Sequence, residues 1–249
     1  MFPSTRLGIS TLALILLGCG GGGSGAKSGP TPPTPPSPPV CTNRDTPSYL
    51  GSAVRPSNFF RWTEEKGQSS IYLYFYVDDT SVPSAERDSF SSEFAQARDV
   101  WKSALRAGGV KMESVTRWKS KGGSPFTGQT CFVAVSYTTT LTENRIGQAG
   151  FTTLRGNKVD GFEVKLALYK PSGTERLTAS ERLSVLIHEL GHVYGIYDPS
   201  SREAHSPNEC DVMYETSKHS WTSLSGGDTA TILALYRATP TLVRKDAAK

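Results

Sequence analysis

The segment His188-Glu189-Leu190-Gly191-His192 brings together residue types that can run hydrolytic metal chemistry. On a helix, side chains four apart share one face, so His188 and His192 can grip one ion from the same side. Imidazole nitrogen is a common zinc ligand. Glu189 lies beside that pair and is not part of it. A carboxylate placed there can take a proton from a water that the ion acidifies and pass it on to a leaving amine. The chain has only four His. A chance occurrence of this spacing on a purely structural helix explains the pattern less well than a metal site does.

The chemistry needs a helix, and the sequence predicts one. Thr178 with Glu181 three residues later forms a capping box. Leu183, Leu186, Ile187, Leu190 and Tyr194 then make an apolar stripe, and Gly195 is a natural stop. The stripe is expected to pack on a sheet while the histidine face, opposite it, looks into a cleft. Ile71 to Val77 is rich in β-branched and aromatic residues and reads as a strand. From about Ser84 to Arg106 an apolar face of Phe90, Phe94, Ala97, Trp101 and Leu105 predicts a helix, stopped at Gly108-Gly109. Cys131 to Tyr137 reads as a second strand. Ala149 to Leu154 and Val159 to Leu168 read as two more, across the turn-like Arg155 to Lys158. A last helix starts at Ser225 with "SGGD" as its cap and runs to about Arg237. This order predicts an α+β domain with a mixed sheet.

The longer string "HELGHVYGIYD", His188 to Asp198, matches His-Glu-x-x-His-x-x-Gly-x-x-Asp. The first part is a metallopeptidase signature. The whole resembles the metzincin clan of zinc peptidases. The resemblance implies one catalytic zinc ion, Glu189 as general base, and a sharp turn at Gly195 before a third ligand. In snapalysin-like members that ligand is Asp, at the place of Asp198. A rival count runs back from the Met-turn, which "CDVMYE" supplies at Met213. Matrixin-type members carry a His-Ser pair with the His eight residues before that Met, and a Tyr after it. His205, Ser206, Met213 and Tyr214 reproduce this. His205 is preferred and Asp198 is the alternative. The closing segment "LSGGDTATILALYR" resembles the last helix of bacterial matrixin-like proteins. The resemblance covers about Phe60 to Arg237 and is specific over Thr178 to Tyr214. The implied fold is a metzincin-like catalytic domain: a twisted mixed sheet, an active-site helix and a C-terminal helix. Two departures limit it. Cys41, in "PVCTNRD", shares only the Pro, Cys and Asp with the matrixin cysteine switch, so a disulfide or a plain Cys fits better. No Tyr stands two residues after Met213, where Glu215 and Thr216 follow Tyr214, so that second zinc-facing role has no candidate. His219 is expected at the surface.

The ends of the chain suggest where it works. Leu7 to Leu17 is an apolar run after a positive start, too short to span a membrane and suited to a secretory leader. It ends in "LLGC", which resembles a bacterial lipobox with Cys19 as the acylated residue. Residues 20–40 are a Gly/Ser/Pro-rich linker, flexible and then stiff, unable to bury apolar surface. The expected organisation is a lipoprotein signal peptide at 1–19, the linker at 20–40, a zinc peptidase domain at 41–240 and a tail at 241–249. Export favours a disulfide among Cys41, Cys131 and Cys210, with three pairings open. The net charge of +4, with no Lys/Arg run, argues against nucleic acid. The expected activity is an extracytoplasmic endopeptidase acting on proteins or peptides, held at a membrane or cell surface. The competing class is a surface lipoprotein that keeps the fold for binding or adhesion, but such a protein has no need of Glu189. A thermolysin-like site with a downstream Glu ligand is disfavoured by Gly195 and Met213. Substrate preference and any structural calcium are not legible.

Overall fold

In a computed structural model of the chain, the residues described are 41, 44–50, 61–64, 68–127, 131–155, 158–197, 204–215, 220–238 and 243–244, with 153–160 and 243–244 as backbone only. The lipidation candidate Cys19, the linker at 20–40, the alternative ligand Asp198, and Thr216 and His219 lie outside them. The elements, in chain order, are β1 (Ile71–Asp78), α1 (Arg87–Ala107), β2 (Met112–Trp118), β3 (Phe132–Thr138), β4 (Gly147–Arg155), β5 (Lys158–Ala167), α2 (Ala179–Tyr194), α3 (Gly226–Arg237) and a short β6 (Val243–Arg244). The strands pair in the order β2-β1-β3-β5-β4, with β6 on β5. β2, β1, β3 and β5 are mutually parallel, and β4 returns antiparallel to β5. The α+β architecture with a mixed sheet is as expected.

Alternation of side chains explains the layers. On β1, Ile71, Leu73, Phe75 and Val77 are buried and the residues between them are half-buried. Val133, Val135 and Tyr137 of β3, and Phe162, Val164 and Leu166 of β5, join the same core. The expected α1 stripe packs on it, with Phe94 meeting Phe75 at 5.4 Å and Phe90 meeting Tyr137 at 5.0 Å between ring centroids. Glu93 is buried within that stripe. Arg182, near the start of α2, donates to both of its carboxylate oxygens, at 2.6 and 2.9 Å. This fork-to-fork pair sets α1 against α2 with little rotational freedom.

Met112–Trp118, where the sequence predicts no strand, forms one. Every residue of α2 from Leu183 to Tyr194 is buried, so the histidine face is enclosed as well as the stripe. The sheet and α1 take the leucine stripe. The opposite side is covered by residues 204–214, as the contacts of His188 and Gly191 below show. The indole N–H groups of Trp101 and Trp62 donate to the Ile187 and Val193 carbonyls, each at 2.7 Å, which leaves both large donors satisfied inside the core.

Candidate metal centre

The helix that carries the site is closed at both ends by its own sequence. Thr178 Oγ1 accepts the Glu181 amide at 3.3 Å, and the Glu181 carboxylate accepts the Thr178 amide at 2.7 Å. At the far end Gly195 has φ 131°, where a Cβ would be strained. The turn it makes brings the Ile196 carbonyl back onto His192, whose Nδ1 donates to it at 2.6 Å. His188 Nδ1 donates to the Val212 carbonyl at 2.8 Å. Both rings therefore hold their proton on Nδ1 and present an unprotonated Nε2, the form and orientation a metal ligand needs.

His205, from the segment after α2, completes a triad with His188 and His192. One ligand atom from each lies within 4.8 Å of the others, and among the described residues this triad could hold a metal ion. Ring centroids are 4.9 to 5.2 Å apart. Burial first, then the charges of His188 and His205, lowers the pKa of His192 well below the ordinary value, and burial lowers that of His188. His205 is pushed down to about 3 by burial first, then by the charges of His188 and Arg145. Three neutral imidazoles converging on one point are a donor set that fits an ion such as zinc.

Glu189 is buried next to this triad, and burial raises its carboxyl to about 8, against the pull of Arg145. Gly147, at the start of edge strand β4, lies against it. A Cβ on Gly147 would fall 2.3 Å from Glu189 Oε1 and 2.7 Å from Val185 Cγ1. The carboxylate and the β4 backbone thus share one wall of the site.

Met213 forms the floor. Its side chain is fully buried under the Gly191 backbone, and a Cβ on Gly191 would lie 2.2 Å from Met213 Sδ and 2.7 Å from Trp101 Cζ2. Gly191→Ala is therefore expected to cost roughly 1–3 kcal/mol through overpacking, read as a lower Tm. An unchanged Tm would mean that Met213 has somewhere to go.

The floor is tied from behind. Asp228, fully buried on α3, accepts from the Val212 amide at 2.9 Å, the Ser225 amide at 3.0 Å and the Tyr49 hydroxyl at 3.1 Å. Asp211 accepts from Thr46 Oγ1 at 2.6 Å and from the Ser206 hydroxyl. Arg44 Nε donates to the Cys210 carbonyl at 3.0 Å, and its Nη2 to the Ser223 carbonyl at 2.8 Å. A disulfide joins Cys41 to Cys210, one of the three pairings left open, and Cys131 is buried away from it. Cys41 and residues 44–50 thus act as a strap on the loop that carries His205 and Met213.

Of the expected site residues, the structure brings His188, Glu189, His192, His205 and Met213 together, and Asp198 lies outside the described residues. Asp228 was read only as part of a helix cap, which it is, but it also holds the floor loop. Arg145 and the strap were not foreseen. An Arg in a polar turn carries no local signal, and the strap depends on contacts more than 160 positions apart in sequence.

No family model matches the chain, and no curated protein matches it. Among solved structures the chain is similar to metalloproteinase-II from Bacteroides fragilis, at 16% sequence identity and a TM-score of 0.39. The match covers 73% of this chain and 58% of that one, so the chain spans little more than half of that protein's length.

Proposed function

We propose that this chain is a zinc-dependent endopeptidase of the metzincin type, with His188, His192 and His205 as ligands and Glu189 as general base. The observation that carries the reading is the convergence of three neutral imidazoles beside a buried, otherwise unexplained carboxylate. When bound, zinc supplies a Lewis acid for a peptide carbonyl and makes water acidic near neutral pH. The protein's own part is proton handling and alignment. Glu189, pinned against Gly147, is positioned to take a proton on one face of a peptide and return it to the departing nitrogen. The carbonyls of Val212 and Ile196 keep the two helix imidazoles in the ligating tautomer.

The test is metal analysis of the purified protein, followed by incubation with a mixed peptide library with and without a chelator. The expected result is about one zinc per chain and internal cleavages that the chelator abolishes. Bound zinc with no cleavage of any peptide would favour a binding or adhesion role. We also propose that the domain works outside the cytoplasm, tethered through acylated Cys19 and the linker at 20–40. The lipobox-like "LLGC" supports this, and mass spectrometry of the mature N-terminus checks it: an unacylated N-terminus would end the anchoring proposal.

A further inference from the structure

Arg145, in the turn that leads into β4, has no part in the scheme above. It precedes by two residues Gly147, the residue whose Cβ position lies 2.3 Å from the Glu189 carboxylate. The turn before it holds Glu143 and Asn144 at φ 59°, the left-handed region, and the Arg145 amide closes it on the Thr142 carbonyl at 3.2 Å. The next residue is fixed as well, since the Ile146 carbonyl accepts the Ala167 amide at 2.9 Å. The backbone is therefore held on both sides, while the side chain is 43% exposed. Its charge reaches both the Glu189 carboxyl and the His205 ring, which stand on different elements of the site. Among the described residues its acidic partner is Glu143, at 2.9 Å and 70% exposed. Exposed pairs of this kind hold weakly and exchange readily.

We infer that Arg145 is a specificity-determining residue that receives a carboxylate of the peptide substrate, close to the bond that is cut. This rests on the peptidase reading. A guanidinium that is half exposed and held by one solvent-facing carboxylate favours an anion as its partner. A planar guanidinium can meet a carboxylate with two parallel hydrogen bonds, a geometry that the neutral amide of Asn or Gln does not reproduce. Glu143 then acts as an internal competitor which the incoming carboxylate displaces. The carboxylate can come from an Asp or Glu side chain or from a free C-terminus.

The experiment measures kcat/KM on matched peptides carrying Glu, Gln or Lys on either side of the scissile bond, each as a C-terminal amide and as a free acid. Wild type is expected to prefer acid over amide by about tenfold, as befits a charge-assisted pair at a half-exposed place. Arg145→Gln should bring that ratio to about one, Arg145→Glu should turn it toward Lys-containing peptides, and Glu143→Gln should raise it. Preference confined to internal Glu identifies a side-chain subsite, and preference confined to free acids identifies a terminus. A fall shared equally by all peptides in Arg145→Gln overturns the inference, since Arg145 would then act on the reaction itself. So does an unchanged ratio. Calorimetric binding of the same peptides to zinc-loaded Glu189→Gln separates the two readings. Acid-selective binding without any turnover by wild type defeats the peptidase and leaves the Arg145 subsite standing.

Discussion

Glu189→Gln is expected to keep its metal and its fold while kcat/KM falls by about 10²–10⁴-fold, the usual worth of a positioned general base. Glu189 is not among the groups that could hold the ion, so its loss leaves the three imidazoles in place. Gln matches its shape, which matters where Gly147 leaves no slack. A second signature comes from stability without metal. Burial raises the folded Glu189 pKa from the ordinary 4.5 to about 8, so the ionised form is disfavoured in the fold. An unfolded chain releases this proton near the ordinary value and the folded chain keeps it until about pH 8. Relative to metal-free Glu189→Gln, metal-free wild type therefore loses stability as pH rises through that window, while the three imidazoles, held neutral by burial, contribute equally to both proteins. Thermal melts of both apo proteins at pH 4 and pH 8 read this out. Wild-type turnover in the variant would sink the catalytic role, and parallel pH profiles would sink the electrostatic one.

His205→Ala is expected to weaken zinc binding by more than about 100-fold, and Asp198→Ala by far less. Outer partners of a metal ligand are worth about 10–100-fold, so a direct ligand should exceed them. His205 is in the triad, within 4.8 Å of the two helix ligands. Its loop is fixed by the Ser206 amide on the Met213 carbonyl at 2.8 Å, which ties ligand spacing to the floor of the site. Three neutral imidazoles also leave the ion its full charge, and so a more acidic water than a carboxylate ligand would allow. The extra residues between Gly195 and His205 cost little, since loop closure grows by only about 0.6 kcal/mol per doubling of length. Competition with a graded chelator measures both variants. Loss of zinc in Asp198→Ala with retention in His205→Ala would place the third ligand on the other residue.

Local chemistry made much of this legible. The α2 cap, its stripe and Gly195 are all short-range signals, and they fall where expected. The same holds for the alternation in β1 and the face of α1. β2 was not legible because it is an edge strand with a single fully buried residue, Met112, and "MESVTRW" shows no clean alternation. The choice among cysteine pairings is a matter of tertiary distance and leaves no trace in spacing. The burial of both faces of α2 was hidden for a similar reason. Gly191 marks where a second layer comes close, but Met213, the residue that fills the space, is 22 positions away.

The strap has a mechanical meaning. Cys41 and Cys210 close a covalent ring across a sequence separation of 169. In the chain-entropy model such a link restricts the unfolded chain by about 5 kcal/mol. The ring contains β1 to β5, α1, α2 and all three imidazoles of the triad. A pull applied to the two ends of the chain enters at residue 41, crosses the disulfide to residue 210 and leaves through residues 211–249. Tension therefore has a covalent short circuit around β1 to β5 and the two long helices. The part under load is the segment with Met213, α3 and β6, and the imidazoles lie off the line of force.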